Sequence, residues 1–316
     1  MILTITLHPS IDRTVELGAA LEVGGVARAH GRATEEPAGK GVNVTRTLLA
    51  AGTASTAIVV ADAHDRLVAS LEGLDVPTRA VAVHAPVRQN LAIVDPDGTT
   101  TKVNESGGAV DARVLDALLD VVDELATKAS WVVIAGSLPP GTDVGVIAAI
   151  VRAVRQADGA RIAVDTSGPA LAAAIDAGVD LVKPNETELA ELLGLDPHAL
   201  DEPAAAVAAA HDLTARVPTV LLTLGADGAA LVTADGGWRA APPPTVVRST
   251  VGAGDATLAG YLHAEHRGHD HAARLAQAVA HGSAAAALPG TGIPTLDQAD
   301  ASRVAVHPIG HQATTH

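Results

Sequence analysis

Short apolar runs alternate along this chain with longer amphipathic ones. Residues 2–7 (ILTITL) mix β-branched and apolar side chains in the manner of a buried strand. STAIVVA (55–61) repeats the pattern. WVVIAG (131–136), RIAVD (161–165), DLVKP (180–184) and TVLLTLG (219–225) are shorter and end in Gly, Pro or Asp. GVNVTRTLLAAG (41–52) has helical spacing and stops at Gly52. Further helical spacing runs near 110–128, 142–157, 168–177, 185–194 and 201–215. Strand–helix alternation of this kind predicts a parallel sheet covered on both faces. Ligands in such sheets bind beyond the carboxyl ends of the strands.

Two segments break the alternation. Residues 12–38 are polar with little helical period. Residues 79–104 read as RAVAVHA, RQNLAIVD and GTTTKVNE around a turn at DPDG (95–98). These segments predict a small antiparallel sheet, inserted as a lid over the ligand end, spanning roughly 12–39 and 79–104. No internal repeat is present. The tail from about 305 to 316 is expected to fray.

Composition sharpens this picture. With 316 residues the chain is long enough for a large α/β domain. Trp131, Trp238 and Tyr261 are its only aromatics, so the core must be aliphatic. The formal net charge of −15 argues against nucleic acid as a partner. It leaves room for a small anion held by local cations. There is no cysteine, which excludes disulfides and thiolate chemistry. The start lacks the pattern of a signal peptide, and no apolar run reaches membrane-spanning length. A cytoplasmic protein that does not engage a membrane is expected.

The chemistry gathers at four places. VGAGD (251–255) sets small residues and an acid at a helix start. Backbone N–H groups of Gly252, Ala253 and Gly254, with the helix dipole, form an anion site. Asp255, expected to stay ionised, suits a base that takes the proton of an attacking hydroxyl in phosphoryl transfer. Read alone, it is more often an acid favouring a helix N-terminus. AGKGVNV (38–44) is a second glycine loop before a helix, fit for a sugar or a phosphate, or an ordinary junction. KPNETEL (183–189) holds Asn185 and Glu188 in the spacing of a capping box; the same pair suits magnesium-bound waters. GSLPPG (136–141) follows a strand and can aim Ser137 at a ligand. The cluster His263, His266, His269 and His271 reads first as a solvated junction rather than a metal site. No P-loop and no G-x-S-x-G run occur, and the dinucleotide fingerprint lacks its third glycine.

Taken jointly, TLHPSID, AGKGVNV, GSLPPG, KPNETEL, LTLGADG and STVGAGD resemble the ribokinase-like (PfkB) sugar kinases, in order and over nearly the whole chain. TKVNESGG adds a likeness to the phosphosugar branch. The resemblance implies one three-layer α/β/α domain with a mainly parallel sheet and a small β-sheet lid. It implies ATP and Mg2+ as cofactors, a ketohexose phosphate as substrate, and a homodimer paired through the lid. It puts Asp255 as base with Gly252, Ala253 and Gly254 as anion hole. Asp12, Gly39, Lys40 and Asn43 then contact the sugar and phosphate, and Arg88, Lys102 and Ser137 grip the substrate's own phosphate. Lys183, Asn185, Thr223, Gly225 and Gly228 fall to the nucleotide, with Asn185 and Glu188 near magnesium through water. Two positions depart from the pattern: His8 stands where the family usually has Asn, and Ala38 where it has Gly.

Overall fold

A computed structural model describes residues 1–157 and 159–309. The first third runs β1 (Ile2–Thr6), β2 (Ser10–Glu16), β3 (Thr34–Ala38), α1 (Lys40–Ala50), β4 (Ser55–Val60), α2 (Arg66–Glu72), β5 (Thr78–Val81), β6 (Arg88–Val94) and β7 (Thr100–Asn104). The middle runs α3 (Ala112–Ala126), β8 (Trp131–Ala135), α4 (Gly145–Gln156), β9 (Arg161–Asp165), α5 (Gly168–Asp176), β10 (Leu181–Val182), α6 (Glu186–Leu192) and α7 (Pro203–Leu213). The last part runs β11 (Thr219–Thr223), β12 (Ala229–Thr233), β13 (Gly236–Ala240), α8 (Ala253–His266), α9 (His271–Ala286) and β14 (Val306–Ile309).

Ten strands form the main sheet in the order β14-β13-β12-β11-β10-β9-β8-β1-β4-β5. From β5 to β11 every pairing is parallel; β12, β13 and β14 add antiparallel strands at one edge. The strand period of two divides the core. Leu3, Ile5, Ile134 and Ile162 pack towards α3–α7, in one apolar cluster. Ile2, Trp131, Val133 and Ala163 face α1, α8 and α9 in another. Both faces are thus covered, which is why these strands read as continuous apolar runs. The fold is the three-layer ribokinase-like arrangement. Among the described residues no helix is long and apolar enough to cross a membrane.

The second sheet has the order β3-β2-β6-β7. Three corrections to the sequence expectation follow. β5, read from RAVAVHA as part of the lid, is instead the edge strand of the main sheet, parallel to β4. Its contribution is apolar Val81, buried against the main core, so burial and not alternation decided its sheet. The lid is also mixed: β2 and β6 run parallel, because a long excursion separates them. Third, residues 306–309 pair with β13 as β14 instead of fraying. Residues 310–316, the rest of the expected tail, lie outside the described residues. The helices α2 and α9 and the strands β12 to β14 were not anticipated.

Candidate active site

β1 ends at the mouth of the site, and α1 begins there. Gly39 has φ 128°, and a Cβ on it would lie 2.8 Å from Cγ2 of Thr6. Only glycine lets the loop press this closely on β1. The turn launches α1 so that Asn43, in its first turn, faces the start of α8. There the left-handed Gly252 (φ 79°) caps α8, leaving Ala253, Gly254 and Asp255 as its first turn. The Nδ2 of Asn43 donates to Oδ2 of Asp255 at 2.8 Å. Both side chains are buried, and Oδ1 of Asn43 has no partner among the described residues.

Asp165, at the carboxyl end of β9, was missed from the sequence. It is wholly buried and anchors two cations. The Nζ of Lys40 donates to its Oδ1 at 2.7 Å, and Lys183 Nζ stands 3.1 Å from its Oδ2. Burial pushes the Asp165 carboxyl up, but Lys183 and Lys40 outweigh it and hold the group below the usual range. Lys40 is in turn raised: burial opposes its charge, and Asp165, Glu188 and Asp255 together favour it. The signal for Asp165 was present, since RIAVD ends a strand in an acid at the ligand end.

Asp255 corrects the sequence expectation of an ionised acid. Burial first, and then the charge of Asp165, push its carboxyl up to about 7, against Asn43, Lys40 and Lys183. A helix terminus contributes about 0.3–1 kcal/mol to such a group. One pKa unit is about 1.4 kcal/mol, so desolvation plus a neighbouring acid overrides the dipole. A carboxyl poised near neutrality is a better proton acceptor than an ordinary one.

The lid supplies a second row of polar groups. Asp12 and Asn90 are paired in register across β2 and β6, on one face of the small sheet. The Nδ2 of Asn90 donates to Asp12 Oδ1 at 2.8 Å, and Ser10 Oγ donates to the same oxygen at 3.0 Å. Ser10 and Asn90 were not among the expected site residues. Arg88 is held by Asn90 Oδ1 at 3.1 Å and by the His8 carbonyl at 3.5 Å. Its Nε is buried with no partner among the described residues. Lys102 does not join it: the register puts Lys102 opposite Ala92, four residues beyond Arg88 and roughly 13 Å along the strand. Ser137, just past β8, meets Nδ1 of His8 at 3.1 Å. Ala38, the other departure, is buried at the end of β3.

On the opposite flank Asn185 and Glu188 form a full capping box. Asn185 Oδ1 accepts from Glu188 N–H, and Glu188 Oε2 accepts from Asn185 N–H. The other oxygen, Glu188 Oε1, has Lys40 Nζ at 3.9 Å. Lys183 lies beneath the glycine loop, where a methyl on Gly254 would stand 3.3 Å from its Nζ. It therefore adds positive charge behind the amides while staying buried. Thr223 N–H donates to the Pro184 carbonyl at 3.0 Å, tying β11 to this loop. Gly228 (φ 90°) is required, since its Cβ would fall 2.0 Å from the Ala240 carbonyl oxygen.

A cavity of about 240 Å3 opens between the loop after β13 and α9, lined among others by Pro243, Val246, Ala280, Ser283 and Ala287. Thr223, Gly225 and Gly228 do not line it, and none of the residues that do had been singled out. The four-histidine run makes no metal cluster among the described residues. His263 is buried against Thr53, and His271 stacks on Trp238.

A buried acid near neutrality, a glycine-rich helix start and lysines beside it are the parts of a phosphotransferase acting on a hydroxyl group. The chain belongs to the pfkB family of carbohydrate kinases, whose model matches residues 8–298. It is 36% identical over 292 residues to the 1-phosphofructokinase of Rhodobacter capsulatus, covering 89% of this chain and 90% of that one. The 1-phosphofructokinase of Haloferax volcanii is 35% identical over 304 residues, 94% of each chain. Phosphofructokinase-2 of Escherichia coli, solved in complex with potassium, superposes with a TM-score of 0.87 at 31% identity, over 94% of this chain and 96% of that one. Kinases of this family take ATP as a substrate.

Proposed function

We propose that the protein transfers the γ-phosphoryl group of ATP to a hydroxyl of D-fructose 1-phosphate, giving D-fructose 1,6-bisphosphate. The observation that carries this reading is the Asp255 carboxyl: buried, pushed up to about 7, and set behind three backbone amides. The sugar phosphate follows from the relatives named 1-phosphofructokinase and from the half-buried Arg88 over the site.

In the reaction a new P–O bond forms to the sugar hydroxyl as the bond to the β-phosphate bridging oxygen breaks. Asp255 accepts the hydroxyl proton and later releases it to water. Amides of Gly252, Ala253 and Gly254 steady the moving phosphoryl group, Ala253 giving up its 3.3 Å bond to the Thr250 carbonyl, with Lys183 behind them. Asp12, Gly39, Lys40 and Asn43 hold the sugar, Arg88 holds its phosphate, and Ser137 touches the substrate beside it. Lys102 reaches that phosphate only if the lid moves. Asn185, Thr223, Gly225 and Gly228 flank the nucleotide. Its adenine occupies the cavity by Val246, where Pro243, Ala280 and Ala287 stand beside the polar Gln298, Asp300 and Arg303 and no aromatic ring forms a wall.

Mg2+ fits this site in one manner. No three carboxylate or histidine groups among the described residues converge on a metal position. Magnesium would instead keep most of its waters and come with the substrate phosphates. Glu188, with one oxygen unspent on the capping box, and Asn185 would hold those waters; the ion would supply charge neutralisation on the phosphates.

Two copies pair through the lid. β2, β6 and β7 turn Val15, Leu91, Ile93 and Val103 to the face opposite Asp12, and Val103 is 54% exposed. We place the enzyme in the cytoplasm, where ATP and sugar phosphates are retained. The chain forms one domain, residues 1–316.

An ADP-release assay over fructose 1-phosphate, fructose 6-phosphate, tagatose 6-phosphate and fructose tests the reading. The highest kcat/KM is expected on fructose 1-phosphate. A preference for fructose 6-phosphate would instead align the protein with phosphofructokinase-2, and no turnover on any of them would leave it a sugar-phosphate binder.

A further inference from the structure

His8 closes the end of β1 with a buried ring that meets two partners. Its Nε2 lies 2.8 Å from the carbonyl oxygen of Ser106, and its Nδ1 lies 3.1 Å from Oγ of Ser137. A carbonyl oxygen can only accept, so Nε2 carries a proton. A neutral imidazole has one N–H, which leaves Nδ1 as an acceptor and the Ser137 hydroxyl as its donor. Burial and the Arg88 guanidinium push the imidazole down and keep it neutral, against the pull of the Ser106 carbonyl. The packing is made for this ring: a Cβ on Gly107 would stand 2.9 Å from Nε2.

A hydroxyl has one proton to give. With that proton given in a hydrogen bond to Nδ1, Ser137 presents only lone pairs to a ligand. A phosphate group also presents lone pairs, and two acceptors repel. A sugar hydroxyl can donate. We propose that His8 is a positioning residue that fixes Ser137 as a hydrogen-bond acceptor, so that Ser137 reads a hydroxyl of the sugar and leaves the phosphate to Arg88. His8 serves both residues at once, since its backbone carbonyl also accepts from Arg88 Nη2. This deepens the reading of fructose 1-phosphate as substrate and rests on Ser137 touching it.

Asparagine and glutamine separate the two bonds of the ring. In His8→Asn the new amide oxygen falls where Nδ1 stands and can accept from Ser137. The longer side chain of His8→Gln reaches Ser106 with its amide nitrogen and abandons Ser137. Steady-state kcat and KM are measured for fructose 1-phosphate and for ATP in Ser137→Ala, His8→Asn, His8→Gln and the His8→Gln/Ser137→Ala double variant, with thermal melting alongside. Ser137→Ala and His8→Gln are expected to raise KM for fructose 1-phosphate about fivefold or more. His8→Asn should stay within about twofold of wild type, the double variant should be no worse than Ser137→Ala, and KM for ATP should not move. If His8→Asn is impaired as much as His8→Gln, the ring acts by packing or through Ser106 and the proposal is overturned. It is also overturned if His8→Gln matches wild type while Ser137→Ala does not. A Ser137→Ala enzyme with unchanged KM removes the substrate contact itself, a separate failure from loss of turnover on fructose 1-phosphate by the wild type.

Discussion

Asp255 shows how far a single residue departs from its sequence neighbourhood. VGAGD locates it at a helix start, where an acid is expected to be charged. Burial and Asp165 reverse that expectation, and the reversal has a measurable sign. The folded carboxyl binds its proton more tightly than the unfolded one, near pH 4. Native stability therefore falls as pH rises from about 4 towards the folded value of about 7. Asp255→Asn removes that penalty and keeps an oxygen for Asn43. It should lower kcat by about 10²–10⁴, yet melt at a higher temperature than wild type at pH 8, with the gap closing towards pH 4. Wild-type kcat should fall as pH drops below about 7. A mutant with near-normal kcat would demote Asp255 to a helix-start acid. Arg88 gives the second prediction at this scale. A guanidinium grips phosphate with two parallel hydrogen bonds, which alanine cannot replace. Arg88→Ala should raise KM for fructose 1-phosphate tenfold or more, about 1.4 kcal/mol, and leave KM for ATP nearly unchanged. A better turnover of unphosphorylated fructose by the wild type would contradict the assignment.

Between elements, the pairing of α8 with α9 decides where the catalytic turn stands. The helices approach so closely that a Cβ on Gly260 would lie 2.6 Å from the Gln277 carbonyl and 2.8 Å from Nδ1 of His281. His281 is wholly buried in that seam, with Nδ1 on the Gln277 carbonyl and Nε2 without a partner among the described residues. Burial pushes its imidazole down to about 4; the Gln277 carbonyl opposes this and His263 adds to it. The unfolded chain takes up its proton near pH 6.5, so stability is full above that value and is lost as pH falls towards 4. His281→Leu should lose less stability than wild type between pH 7 and pH 5, by about 1–2 kcal/mol. Urea unfolding at the two pH values measures it; parallel losses in both proteins would refute the assignment. α9 itself was not legible, because its alanine-rich sequence has little contrast between faces.

For the whole molecule, the lid is the element with the least support of its own. Its inward face carries Asp12, Asn90 and Arg88, and its outward face carries Leu91, Ile93 and Val103, half-buried or exposed. Apolar strands of this kind are stable when covered. Leu91→Asp with Val103→Lys is expected to convert a dimer to a monomer in sedimentation. It should also raise KM for the sugar phosphate, because Arg88 and Asp12 ride on the same strands. A wild-type monomer in sedimentation at micromolar concentration would end the pairing proposal.

Sequence alone determined the local order: parallel strands from continuous apolar runs, helices from their spacing, and the glycine loops before α1 and α8. Those features depend on neighbours a few residues apart, and periodicity and turn chemistry report them. It also marked Asp255 and Asn43 through the glycine loops they follow, and Lys40 and Arg88 through the family resemblance. Tertiary structure alone decided that β5 leaves the lid for the main sheet, that Lys102 stands apart from Arg88, and that Asp165 gathers Lys40 and Lys183. It likewise set the proton on Asp255 and its absence from Nδ1 of His8. Burial and charge–charge distance between residues far apart in the chain govern all of these, and neither quantity is a property of any window of sequence.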